Sequence, residues 1–221
     1  MGSRREKKLS KLELIAYKAS LSFSQNQISI LIGSILGDGT LRLPRKAINA
    51  NFKVEQGLVQ KDYVFWKYNN FKEWVLTPPK ISYRYNNERI KYEKSWWFRT
   101  LSHPEITYFQ KLFYPNGKKI VPININKYLN PLALAVWIMD DGSFHKGKCA
   151  YDISTYSFTE KEIKHLLKIF KNKFNIKGNY FFDRDKGIRM YFPKSETNKI
   201  NSLISPYFVN CMRYKLPLLT P

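Results

Sequence analysis

A chain of 221 residues with 38 Lys and Arg against 17 Asp and Glu carries a net charge of +21, too basic for an ordinary solvated surface, and so calls for a polyanionic partner. Its 15 Tyr, 15 Phe and 5 Trp exclude a disordered basic tail, and its length supports a substantial core, as one large domain or two smaller ones. No apolar run approaches the ~20 residues that cross a bilayer, no signal-peptide pattern opens the chain, and no basic amphipathic helix with an exposed apolar face stands out. Nucleic acid is therefore the leading partner. Cys149 and Cys211 lack metal-ligand spacing, which excludes a zinc site and suggests a reducing intracellular setting. The abundance of Ile, Lys, Asn and Tyr fits AT-rich coding DNA, hence a mitochondrial or other organellar matrix, or a bacterial or phage cytoplasm.

The opening MGSRREKK reads as a basic arm or a cloning remnant at the head of an N-terminal extension, residues 1–23. SFSQNQI then starts a helix, with Ser24 as N-cap, Gln27 completing a capping box and Phe23 stapling onto Ile28. This helix runs into LIGSILGDG at 31–39. The polar, β-prone segment 40–56 follows, and Val64, Tyr68, Phe71 and Val75 predict an amphipathic helix after it. ISYRYNNERIKYEKSWWFRT predicts a hairpin turning at Asn86-Asn87, with Trp96 and Trp97 on opposite faces. A short helix over 104–113, with His103 in a structural role at its start, leads to the segment Lys119 to Pro122.

The same order then repeats. Asn130 as N-cap and Pro131 at the first helical position start a helix through LAVWIMDDG at 134–142. Segment 143–157 is again polar and β-prone, and His145 there reads as polar surface. Thr159 and Glu162 form a capping box ahead of the stripe Ile163, Leu166, Leu167, Phe170 and Phe174. A hairpin turning near Lys186-Gly187, a short helix at 196–205 and the segment Lys215 to Pro217 close the chain. The glycine after each terminal acid supplies a helix stop. The expected fold is α+β: two pseudo-symmetric αββαββα repeats at 24–122 and 130–221, joined by a linker at 123–129. Like halves associate symmetrically, each with one curved antiparallel sheet backed by helices. The outer sheet faces would present Arg42, Arg45, Lys53, Arg84, Arg89, Lys91, Lys146, Lys148, Arg184 and Arg189 to DNA.

LIGSILGDG and LAVWIMDDG, each followed by the same element order, resemble the two copies of the motif that names the LAGLIDADG homing endonucleases, and the resemblance spans roughly residues 25–218. It implies a saddle of two sheets over the DNA, with the motif helices side by side on the pseudo-dyad and their terminal acids meeting over the minor groove. It further implies a monomeric, site-specific endonuclease that cuts both strands of a long asymmetric target, leaves short 3′ overhangs and promotes mobility of its host intron. Val136 and Asp140 depart from the family pattern where the first copy has Gly33 and Gly37, which predicts a looser or less symmetric helix contact.

The chemistry of phosphodiester hydrolysis points to the same place. Acids at a helix C-terminus oppose its dipole, but a divalent cation would use them, together with unsatisfied carbonyls, as oxygen ligands. Asp38 and Asp141 align immediately before their glycines and are the candidate metal ligands, with the Gly37 and Asp140 carbonyls as further donors. The Asp140 side chain should point about 100° away from that of Asp141. Lys119 and Lys215 resemble the family's basic residues near the scissile phosphates and complete the catalytic set. Mg²⁺ is the expected cofactor, with Mn²⁺ substituting and Ca²⁺ supporting binding without cleavage. Two other readings stand beside this one: an RNA-splicing maturase on the same scaffold, and a non-catalytic DNA-binding protein.

Overall fold

The computed structural model describes residues 10–87 and 89–217; the basic opening MGSRREKK lies outside them. Ser10 and Glu13 form a reciprocal capping box that starts α1 (Lys11–Ala19), a helix that the sequence pattern of the extension did not announce. It is docked at its far end, where the Tyr17 hydroxyl donates to Glu73 O at 2.6 Å and His103 Nε2 lies 3.1 Å from Lys18 O. The first repeat follows as α2 (Gln25–Leu36), β1 (Thr40–Arg42), β2 (Asn51–Gly57), α3 (Lys61–Asn70), β3 (Lys80–Asn86), β4 (Lys91–Arg99) and α4 (Pro104–Phe113). The second is α5 (Pro131–Asp141), β5 (Gly142–His145), β6 (Ala150–Ser154), α6 (Glu160–Phe174), β7 (Asn179–Phe182), β8 (Ile188–Phe192) and α7 (Lys194–Ile204). This is αββαββα written twice. Among the described residues, no helix is long and apolar enough to cross a membrane.

The start signals act as their chemistry requires. The Ser24–Gln27 and Thr159–Glu162 boxes are both reciprocal, and Asn130 Oδ1 accepts from the Ala133 N–H at 2.9 Å. One boundary differs from expectation. The helix carrying Val64 and Tyr68 ends at Asn70, so Phe71 and Val75 lie beyond it. Both stay buried because the chain turns through Lys72–Trp74, which lets Trp74 stack on Phe23 with ring centroids 4.0 Å apart.

Each half folds its strands into one antiparallel sheet, ordered β1-β2-β4-β3 and β5-β6-β8-β7. Alternation along β2 sends Phe52 and Val54 inward, where Phe52 meets Phe71, and Phe98 from β4 meets Tyr68. Trp96 packs on Phe65 on that side, whereas Trp97 lies on the outer face beneath Lys53. In the second half Phe170 of α6 packs on Phe192 of β8. Helices thus cover one face of each sheet and leave the other open.

The two motif helices, α2 and α5, are apolar nearly all round because each packs both on its own half and on the other. A methyl added at Gly33 would sit 2.3 Å from Ala133 O and 2.7 Å from Val136 Cβ, and one at Gly37 would sit 2.5 Å from Asp140 Cβ. The expected loosening is therefore overturned: the larger residues of α5 fill the hollows left by the glycines of α2. The contact is close and asymmetric. At its other end, Asn130 Nδ2 donates to Ser29 Oγ at 2.7 Å and ties the start of α5 to α2.

Candidate active site

The paired C-termini of α2 and α5 place Asp38 and Asp141 at one end of the helix pair. Asp141 is the last residue of α5; Asp38 follows the cap residue Gly37 of α2. Gly142 caps α5, whereas Gly39 lies two residues past the α2 cap; neither is in the left-handed region expected of a glycine stop, and close approach is what requires each. Gly39 N–H donates to Ser34 O at 2.6 Å, and a methyl there would meet Ser34 O at 2.8 Å and Phe52 at 2.9 Å. At Gly142 a methyl would come within 2.6 Å of Ile138 Cγ2.

Each half returns a lysine to the end of its own motif helix. Lys119 Nζ donates to Ile35 O and Gly37 O, both at 2.8 Å. Lys215 Nζ donates to Met139 O at 2.6 Å and Asp140 O at 3.0 Å. These cations satisfy carbonyls that the helix leaves without partners, and they offset the negative end of its dipole. The acids are therefore tolerated at a position that would otherwise repel them. The Gly37 and Asp140 carbonyls, expected to face a metal, each spend a lone pair on a lysine; a carbonyl oxygen keeps a second. Burial pulls both ammonium groups below the ordinary lysine range, against the opposing pull of Asp38, Asp140 and Asp141.

Three residues without any local sequence signal complete the polar centre. Gln56 Nε2, from β2, donates to Asp38 Oδ2 at 2.9 Å. Lys67 Nζ, from α3, holds both oxygens of Asp140 at 2.8 and 2.9 Å, with neither side chain exposed. Tyr63 lies beneath the Lys67 ammonium, 4.5 Å from nitrogen to ring centroid. Removing one partner from such a buried pair costs about 3–5 kcal/mol, because a lone charge is left behind. Burial pushes the Asp140 carboxyl up, against the pull of Lys67. The side chain of Asp140 is thus turned into the first half and held away from Asp141, as helical geometry requires.

The donor set fits a hard divalent cation. Burial, then the Asp38 and Asp140 carboxylates, push the Asp141 carboxyl up to about 7, with Lys119 and Lys215 acting against the rise. A place where neighbouring carboxylates raise an acid in this way is one where a cation is favoured. Among the described residues, no three His, Cys, Asp or Glu side chains are placed to hold one metal ion. Such a cation would take one or two carboxylates and fill its remaining positions with water and phosphate, the preference of Mg²⁺.

The basic candidates divide by surroundings. Register and alternation place Arg42, Lys53 and Arg84 on the open face of the first sheet, joined there by Arg99 opposite Lys53. Lys91 shares that face, and Arg45 and Arg89 lie in its exposed turns. Lys53 is paired with Glu55, and Arg89 with Glu93 at 3.1 Å. Lys146 and Lys148 are exposed in the β5–β6 turn, and Arg184 in the β7–β8 turn. Arg189 is half-buried on the second sheet's open face, bound to Asp152, which also holds the exposed His145, and donating to the Tyr156 hydroxyl at 2.8 Å.

Comparison with known proteins is consistent across three kinds of match. Residues 28–200 match the model of the LAGLIDADG DNA endonuclease family. DNA endonuclease I-ChuI of Chlamydomonas applanata is 29% identical over 210 residues, covering 89% of this chain and 96% of its own. The cytochrome b mRNA maturase bI2 of Debaryomyces hansenii is 30% identical over 196 residues, covering 87% of this chain and 74% of that protein. The homing endonuclease I-WcaI, solved bound to its DNA recognition sequence, superposes with a TM-score of 0.87 at 27% identity, covering 96% and 94% of the two chains.

Proposed function

Because this chain belongs to the LAGLIDADG DNA endonuclease family, we propose that it is a homing endonuclease that binds a long asymmetric DNA target as a monomer and cuts both strands. The observation that carries this reading is the convergence of Asp38 and Asp141 at the ends of two packed helices, with Lys119 and Lys215 beside them. Repeats 24–122 and 130–221 each direct cleavage of one strand, leaving short 3′ overhangs. Such a break promotes copying of the host intron into an uninterrupted site. The open sheet faces grip the flanking grooves, and I-WcaI, bound to DNA, supports that partner.

In this reading Asp38 and Asp141 would hold Mg²⁺, which would supply a more nucleophilic water and stabilisation of charge on the departing oxygen. The chain's own groups do the rest. Attack on phosphorus breaks the P–O3′ bond, leaving a 5′-phosphate and, after protonation, a 3′-hydroxyl. Lys119, fixed by two helix-end carbonyls, keeps an N–H to donate to a non-bridging phosphate oxygen as negative charge builds there, and Lys215 does the same by giving up its long 3.5 Å bond to Ile138 O. Their lowered pKa values also suit them to hold and polarise the attacking water. Gln56 orients Asp38 through its 2.9 Å hydrogen bond.

The test uses a plasmid library whose inserts vary around the DNA recognition sequence of I-WcaI. The library is incubated with the chain and Mg²⁺, and new ends are sequenced. Defined double-strand ends with short 3′ overhangs support the reading. Bound DNA that is never cut overturns it. A second reading, RNA-splicing maturase, draws on the 30% identity to the Debaryomyces hansenii maturase. Splicing of the host intron by an Asp38→Asn/Asp141→Asn chain supports that activity, since RNA folding needs no paired metal ligands.

A further inference from the structure

The first half contains a polar chain that the described residues of the second half lack. Asp140 leans from α5 into the hollow at Gly37, where Lys67 of α3 holds both its oxygens. Gln56 Nε2 then stands between two carboxylates, 2.9 Å from Asp38 Oδ2 and 3.4 Å from Asp140 Oδ1. Strand register gives the counterparts in the other half. Thr40 pairs with Lys53 and Ser143 with Asp152, so Gln56 corresponds to Thr155. The Thr155 hydroxyl donates to Ile188 O at 2.7 Å. Asp140 itself corresponds to Gly37, which has no side chain. The buried face of α6 carries Ile163, Leu166, Ile169 and Phe170, with no cation.

We infer that Lys67 is a positioning residue for Asp38: by holding both oxygens of Asp140, it leaves the Gln56 amide to Asp38 and orients that acid's half of the site alone. A buried carboxylate stripped of its cation draws the nearest donor, because an unpaired charge inside the protein is far costlier than a rotated amide. The donors left to Asp140 include the Tyr63 hydroxyl and the Gln56 amide at 3.4 Å, and Gln56 is the one that Asp38 shares. Loss of Lys67 therefore takes Gln56 from Asp38, while no hydrogen bond in this chain reaches the Asp141 side chain. The consequence for cutting rests on the nuclease reading above; the contact itself rests on the geometry.

The contact is read by the side-chain amide signals of Gln56 in a chain labelled with ¹⁵N-glutamine, without metal or DNA, assigned by their loss in Gln56→Met. Function is read on an end-labelled duplex recovered from the library, one label per strand. Lys67→Met should displace the Gln56 signals and slow one strand at least about tenfold more than the other, so that nicked DNA accumulates. Adding Asp140→Asn should return both the signals and the strand balance towards the parent. Unmoved Gln56 signals, equal slowing of both strands, or no recovery in the double variant would each overturn the assignment. Should Lys67→Met not fold, the double variant decides: parent-like signals support the assignment and displaced signals overturn it. The amide signals report on Lys67 whether or not the chain cuts, whereas a parent chain that binds and never cuts overturns the nuclease reading alone.

Discussion

Replacing Gly33 by Ala adds one methyl at the tightest point between α2 and α5. The new carbon would lie 2.3 Å from Ala133 O and 2.7 Å from Val136 Cβ. An ordinary carbon–oxygen contact is about 3.3–3.6 Å, so the helices must part by roughly 1 Å. A gap of that size forfeits about a quarter to a half of each dispersion contact along the seam. Overpacking of this kind costs about 1–3 kcal/mol, and the upper end applies because the obstructing atom is backbone and cannot swing aside. Alanine's better helix propensity returns about 1 kcal/mol. The net loss is then about 2 kcal/mol, a fall in Tm of about 4–8 °C for a chain of this size. Thermal unfolding followed by circular dichroism measures it, with Gly57→Ala as control, since nothing lies within 4 Å of a methyl at Gly57. A Gly33→Ala chain that melts at or above the parent temperature would refute the close packing that brings the two acids together.

Other expectations follow from the same geometry. Lys119→Met and Lys215→Met should each lower the cleavage rate by about 10²–10³ while binding persists, as loss of one preorganised charge donor does; single-turnover rates and gel-shift affinities separate the two effects. Arg84→Ala, on the open face of the first sheet, should weaken binding and reduce the slope of log affinity against log salt by about 0.9 for each phosphate that the arginine neutralises. In chelator, the Asp141 carboxyl sits at about 7 against an ordinary value of 3.8, so its stabilising contribution is full at low pH and fades as pH rises through about 7. Metal-free stability should therefore decline over that window, measured by urea unfolding, and Asp141→Asn should flatten the decline.

The site was legible in the sequence wherever a residue acts through its own element. The Asp-Gly pairs mark two helix ends, and Ser24, Asn130 and Thr159 mark starts that the backbone honours. Lys67 was not legible. It sits in α3, where a lysine among aromatics reads as one more surface charge, and its partner lies 73 residues away in the other half. Gln56 was hidden for a similar reason: alternation along β2 gives its side, and only the fold puts Asp38 there. The glycines of α2 were recognisable as contact points, but the sequence shows neither that Val136 and Asp140 fill them nor that the joint is tighter for it. Lys119 and Lys215 stood out by resemblance; their grip on the helix-end carbonyls depends on loop paths that carry no local pattern.

The central claim is that Asp38 and Asp141 together form the cutting site. Plasmid cleavage and binding by Asp38→Asn and Asp141→Asn, measured with Mg²⁺ on the selected target, test it most directly. The account expects both variants to bind as the parent does and to yield no double-strand ends. Double-strand cutting at the parental rate by either variant would contradict it.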